Sequence, residues 1–243
     1  MIALKLNKHK VVVYDSIEDL PIVNYHKYNK LMLVDSGIGS ELSDIDAHIT
    51  KIASFIKTNP NLAVAELTNL QQSLYFINQN ISPKNIAYMA LISEVDGDKV
   101  TDLSDDNLMK IFGLLNEEKM SLLEKVFNGL KKKINDELEQ YFPLIADNVL
   151  IKEAYELIKR RANIQLHGII TGEDIQKEID GINTEILTKE KPKAFSGKES
   201  ILIKIDKNFD QTCMLISQKL NANAKVLTVM EYYNAVELIS DKK

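Results

Sequence analysis

Apolar positions recur along this chain at two spacings, and each predicts a different element. Ile2 to Leu6 alternates apolar and polar residues, and Val11-Val12-Val13-Tyr14 is β-branched and aromatic, so a short hairpin through Asn7 to Lys10 is expected. Ser16 stands ready to cap a brief turn at Ile17 to Leu20. Pro21 then suits the first position of a helix carrying Ile22, Tyr25, Tyr28, Leu31 and Met32. That helix is expected to give way to a flexible loop at Asp35-Ser36-Gly37-Ile38-Gly39-Ser40. A second helix opens near Ser43, with Ile45, Ile49, Ile52, Ala53 and Ile56 at three- and four-residue spacings. Pro60 starts a third, with Leu62, Ala65, Leu67, Leu70, Leu74 and Ile77 as its stripe. The short connection at Thr58 to Asn61 makes these two an antiparallel hairpin.

Ile86 to Ile92 fits strand or helix equally, and Asp96-Gly97-Asp98 reads as a turn. Ser104 caps the next helix, where Asp105 and Asp106 favour its positive end and Leu108, Ile111, Phe112 and Leu115 form the stripe. A long amphipathic run follows (Leu123, Val126, Phe127, Leu130, Ile134, Leu138) and stops before Pro143. Another helix from Val149 ends near Gly168, and Thr171 with Asp174 resembles a capping pair for Ile175 to Leu187. Lys189 to Lys198, with Pro192 and Gly197 and almost no apolar content, is expected to be a linker. Beyond it Ile201 to Ile205 has the look of a strand, followed by helices at Phe209 to Leu220 and Val226 to Ser240. The expected organisation is a mainly helical domain with an N-terminal β-hairpin over 1–188, a linker over 189–200, and a small strand-helix-helix element over 201–243. The fold class is mainly α with minor β, a helical bundle core with short β elements near both ends.

Composition supports that picture. Nine glycines, five prolines and no tryptophan in 243 residues are too few for a turn-rich sandwich or propeller. The formal charge is −5, and only Arg160 and Arg161 of the 30 basic residues are arginine. A chain so poor in the planar fork that grips bases and phosphates is no sequence-specific nucleic-acid binder. Lys131-Lys132-Lys133 is its one basic run and is expected to be a solvated helix face. Cys213 is the only cysteine, which leaves no internal disulfide and no cysteine metal site; its apolar helical context predicts a buried, inert thiol. No window has the apolar length of a membrane span, and the first ten residues do not form a signal peptide.

Candidate chemistry is sparse. Leu33-Val34-Asp35-Ser36-Gly37 has the Asp-Ser-Gly of an aspartic protease, in which two carboxylates share a proton. A single copy requires a homodimer, and the helical surroundings disagree with those β-rich enzymes. Gly37 and Gly39 do not make a phosphate loop, because Ser40-Glu41 stands where lysine and serine or threonine are needed. Asp44, Asp46 and His48 do not share a helix face, and His9, His26 and His167 have no ligand at metal spacing. The expectation is no catalytic residue, no metal and no cofactor. What stands out is the terminal helix, with Val226, Val229, Met230, Tyr233, Val236 and Ile239 on one face and Leu227, Tyr232, Ala235 and Leu238 on others. A helix apolar nearly all round is buried on several sides. Those six residues are the candidate interface, against the alternative that they pack within the domain.

The stretch VVVYDSIEDLPIVNYHKYNKLMLVDSGIGS, Val11 to Ser40, resembles the N-terminal segment of a group of virion-associated proteins from crAss-like and related tailed phages of Bacteroides. The DLSDDNL stretch, the ELEQYFP helix end, Lys159-Arg160-Arg161 and the closing LTVMEYY are similar to the same group. The resemblance covers most of the chain, and its motifs carry no catalytic residue. It implies a non-enzymatic structural protein at the head–tail junction or in the tail, a ring or adaptor subunit located in the virion. Its partners would be copies of itself, as a homo-oligomer, and other phage structural proteins. A tail-assembly chaperone or packaged cargo is the nearer alternative, and an aspartic protease using Asp35 the remote one.

Overall fold

The computed structural model describes residues 1–6, 8–115, 120–143, 149–189, 194–198 and 200–240. Strands β1 (Ile2–Leu6) and β2 (His9–Val13) form the expected antiparallel hairpin, with Ile2 opposite Val13 and Leu6 opposite His9. β2 then pairs with β3 (Ile92–Val95), which turns into β4 (Asp98–Lys99), so the sheet order follows the chain. The turn holds Asp96 at φ 52° and Gly97 at φ 94°, the positive pair that a two-residue hairpin of this twist requires. The Asp96 carboxylate accepts from the Lys10 backbone N–H at 2.8 Å and meets His9 Nδ1 at 2.6 Å, which pins the turn to β2.

The helices lie between and after the strands in the chain. α1 (Ile22–Ile38) leads through α2 (Leu42–Phe55) and α3 (Pro60–Gln79) to α4 (Pro83–Met89), and α5 (Asp105–Leu115) follows the sheet. α6 (Met120–Tyr141) comes next, then α7 (Val149–Thr171) and α8 (Gln176–Lys189), which pack on each other. α9 (Ile201–Leu220) and α10 (Val229–Ser240) close the fold, with a 3-10 turn at Ala224–Val226 between them. One core joins Val11 and Val13 of the sheet to Tyr28, Tyr88, Leu108, Phe127, Ile134, Ile216 and Val229. Within it Tyr28, Tyr88 and Phe127 stack at centroid distances of 6.4 and 5.1 Å, each pair worth about 0.5–1.5 kcal/mol beyond its buried area.

Two sets of polar contacts lock this core. The Glu137 carboxylate of α6 accepts from the Ile17 backbone N–H at 2.8 Å and the Ser16 hydroxyl at 3.1 Å, while Lys133 donates to Asp15 at 2.7 Å. One member of the lysine run therefore docks a helix rather than facing solvent alone. The segment before α10 is stitched to the segment before α1: Ile22 N–H donates to Leu227 O, Val229 N–H to Leu20 O, and Met230 N–H to Ile17 O, at 2.9–3.0 Å.

The architecture is mainly α with a small antiparallel sheet, as the patterning predicts, but the expected C-terminal β element is absent. Residues 201–205 are the first turns of α9, capped by Ser200, whose hydroxyl oxygen accepts from Leu202 N–H at 3.2 Å. The β-branched run misled because its apolar residues also repeat at helical spacing, and the cap decides between the two. α9 and α10 contribute Cys213, Ile216, Val229 and Tyr232 to the same core as β1 and β2. Of the expected linker, residues 190–193 and 199 lie outside the described residues. Phe195, within it, is buried against Val34 and Ile38.

Candidate interaction site

The Asp35 to Ser40 stretch is where α1 meets the α2–α3 hairpin, and it is ordered by specific contacts rather than loose. α1 runs through to Ile38. The Asp35 carboxylate accepts from the Lys84 backbone N–H at 3.0 Å and the Ser82 hydroxyl at 3.3 Å, satisfying the start of α4. Its acceptor role is structural. Gly37 leaves room for Phe195: a Cβ there would sit 2.1 Å from the ring. Gly39 ends the helix at φ 71°, and its missing Cβ makes space for Asp44, whose carboxylate accepts from Glu41 N–H at 2.8 Å. Gly37→Val is expected to expel Phe195 and cost about 2–3 kcal/mol, read as a lower urea midpoint with an unchanged m-value.

Beyond Gly39 the hairpin is attached through a buried ion pair. His48 of α2 is 3% exposed and Glu66 of α3 is 1% exposed. His48 Nδ1 lies 2.7 Å from Glu66 Oε1, and Nε2 lies 2.7 Å from the Ile38 carbonyl. Both partners only accept, so both ring nitrogens donate and His48 is an imidazolium. The Glu66 hydrogen bond, reinforced by Ile38 O, holds the His48 pKa above the imidazole range although burial pulls it down. Burial raises the Glu66 pKa, but His48, Lys51 and Asn69 together outweigh it and keep the carboxyl below its usual range. Asn69 donates to Glu66 Oε2 at 3.1 Å, and Lys51 Nζ is 3.6 Å from Oε1.

This network leaves α3 turned inside out. Its buried residues are Ala63, Glu66, Asn69 and Ser73, whereas Val64, Leu67, Leu74 and Tyr75 are 45–63% exposed. On α2 and at its C-cap, Leu42, Ile49 and Ile56 are 51–73% exposed. Counting about 100° per residue, the exposed apolar residues of α2 lie roughly a quarter-turn on from His48. Those of α3 lie a quarter- to a half-turn on from Glu66, in the same rotational sense. The helices are antiparallel and His48 faces Glu66, so both sets turn to one side of the hairpin. The sequence stripes on α2 and α3 are therefore divided: Ile45, Ile52, Leu70 and Ile77 are half-buried, while Ile49, Ile56, Leu67 and Leu74 face outward.

Beside that face, a cleft of about 500 Å³ opens between α1, α3 and Phe195, with Val34, Ile38, Phe76 and Met109 among its walls. The charges on its rim are paired, Lys27 with Asp105 at 2.7 Å and Lys30 with Asp206 at 2.5 Å. The cleft suits an apolar group rather than an ion. A second opening, between α7 and α8, mixes Lys159, Arg160 and His167 with Glu156, Glu173 and Glu178.

The six terminal-helix residues do not form one outward face. Val229 is fully buried; Met230, Tyr233, Val236 and Ile239 are half-buried against the core; Val226 alone is open, at 72% exposure. The Cys213 thiol is buried and its pKa raised by that burial. Among the described residues, no three His, Cys, Asp or Glu side chains gather as a metal site, and no helix is long and apolar enough to cross a membrane. The buried pair His48–Glu66 was not foreseen from the sequence. The signal for it was the polar stripe Glu66, Asn69, Ser73, which recurs at helical spacing on α3.

The chain matches no protein family, no curated protein and no solved structure.

Proposed function

We propose that this chain is a non-enzymatic structural subunit of a tailed phage particle, a ring or adaptor component of the head–tail junction or tail that works by subunit packing. The observation that carries the packing role is α3, whose polar side is buried and whose apolar side faces solvent. A helix at the surface of a self-sufficient domain has the opposite arrangement. With Leu42 and Ile49 of α2 and its C-cap Ile56 on the same side, the hairpin presents seven large apolar side chains that the described residues leave uncovered. Contiguous apolar surface of that kind belongs to contacts with other molecules. The tip of the α7–α8 hairpin adds Ile169 and Ile170, at 80% and 81% exposure. The phage assignment itself rests on the resemblance of Val11–Ser40 and the later motifs.

Quantitative mass spectrometry of purified particles tests the reading. A fixed number of copies per mature particle is the expected result. Presence in infected cells but not in mature particles would make the chain an assembly chaperone, and absence from both would overturn the phage assignment.

A further inference from the structure

The α7–α8 hairpin is an arm with an apolar tip. Among the described residues its two helices pack chiefly on each other, with Ile179 and Ile182 of α8 buried. From Ile158 to Thr171, about 21 Å of helix, every residue of α7 except Ile164 and Gly168 is exposed. The end of the arm is nonetheless built rather than frayed. Gly172 N–H donates to Gly168 O at 2.9 Å, and the Thr171 hydroxyl donates to His167 O at 2.9 Å. Ile175 seats so close to Gly168 that a Cβ there would lie 2.6 Å from it. This corner holds Leu166, Ile169 and Ile170 out at 57%, 80% and 81% exposure. Gly168 to Gly172 carries no charge.

The same chain carries a hollow that matches the tip. The cleft between α1, α3 and Phe195 has apolar walls, a volume of about 500 Å³, and rim lysines already neutralised by Asp105 and Asp206. Such a hollow takes an uncharged apolar group, and a convex helix end enters it where a flat helix face does not. No residue of α7 or α8 lines it, so within one chain the tip and the cleft both stay open. An anionic membrane surface suits the tip less well, because Glu173 and Asp174 follow it directly and are repelled there.

We infer that the α7–α8 tip of one copy of this chain seats Ile169 and Ile170 in the α1–α3 cleft of the next copy. The two patches differ, so the contact is heterologous. Each copy offers a tip to one neighbour and a cleft to another, and successive copies close into a ring when the rotation between them divides a full turn. The inference rests on reading the chain as a ring-forming subunit, and it names the two surfaces that join.

Sedimentation velocity on the full chain, with thermal unfolding of each variant, tests it. The wild type is expected to form assemblies larger than a dimer. The tip variant I169D/I170D and the cleft-wall variant Tyr75→Asp change exposed side chains. Each is therefore expected to be monomeric at the wild-type melting temperature. Mixed in equal amounts, the two are expected to form a dimer and nothing larger, because the intact tip of one still meets the intact cleft of the other. A wild type that stays monomeric at its highest soluble concentration overturns the inference. So does either variant assembling like the wild type, or a mixture that remains monomeric. A melting temperature that falls in the tip variant of a monomeric chain puts the tip in its own cleft, which also overturns it. A monomer found in particles at fixed copy number sinks the contact and leaves the structural role standing. Assemblies of the purified chain that are absent from particles and infected cells do the reverse.

Discussion

His48→Ala is expected to destabilise the fold by about 3 kcal/mol, because it takes the buried cation from the Glu66 carboxylate and leaves it only the half-exposed Lys51 at 3.6 Å. It also frees the Ile38 carbonyl that His48 Nε2 holds at 2.7 Å, loosening α1 from the hairpin. Chemical denaturation at several pH values checks both the size and the sign. The His48 pKa is raised in the folded chain, so its contribution is fully present below the ordinary imidazole value of 6.5 and is lost as pH rises through the folded value. The Glu66 pKa is lowered, so its contribution is fully present above its ordinary value of 4.5 and is lost as pH falls through the folded value. The pair therefore stabilises most between pH 4.5 and 6.5. In the wild type, stability from this source declines toward alkaline pH, and in His48→Ala that decline is expected to vanish. An alanine variant within 1 kcal/mol of wild type (roughly the worth of an exposed ion pair) would show that the pair is not the anchor of the hairpin.

Val229→Asp is expected to cost at least about 3 kcal/mol, since it places an unpaired carboxylate in a fully buried position at the start of α10. Val226→Asp, three residues earlier in the same predicted stripe, is expected to change stability by less than about 0.5 kcal/mol, because that side chain is open to water. Thermal unfolding of the two variants side by side separates a helix that packs internally from one that serves mainly for attachment. Equal and negligible effects would return the terminal helix to the list of outward-facing surfaces.

What could be read from the sequence was whatever is decided within a turn or two of chain. Ser104 before α5, Asp174 before α8 and Pro60 after its Asn59 cap all sit where the local rules put them. The Asp96-Gly97 turn does too. What could not be read depends on groups far apart in the chain. Asp35-Ser36-Gly37 looked like a loose loop because its partners are Lys84 and Phe195. Ile49 and Leu67 looked like core because they share helical spacing with residues that are inward. Only the placement of His48 against Glu66 turns that spacing outward and makes the face visible as a site. Of the two readings of the terminal helix, packing within the domain is the one that depends on distant groups: α9, α1, Phe142 and the Ile17–Ile22 segment lie against it.

The stitch between Leu20 and Val229 has a consequence for how the chain is made. It joins positions roughly 210 residues apart, a closure that no local nucleus can anticipate. On a ribosome adding about 5–20 residues per second, β1 and β2 are finished at least about ten seconds before Val229 emerges to cover Ile17 and Leu20. During that interval the hairpin, α1 and α4 present unfinished apolar surface to the cell. Translation speed through the second half of the message thus governs how long the nascent chain depends on holding factors, and completion comes as one late step.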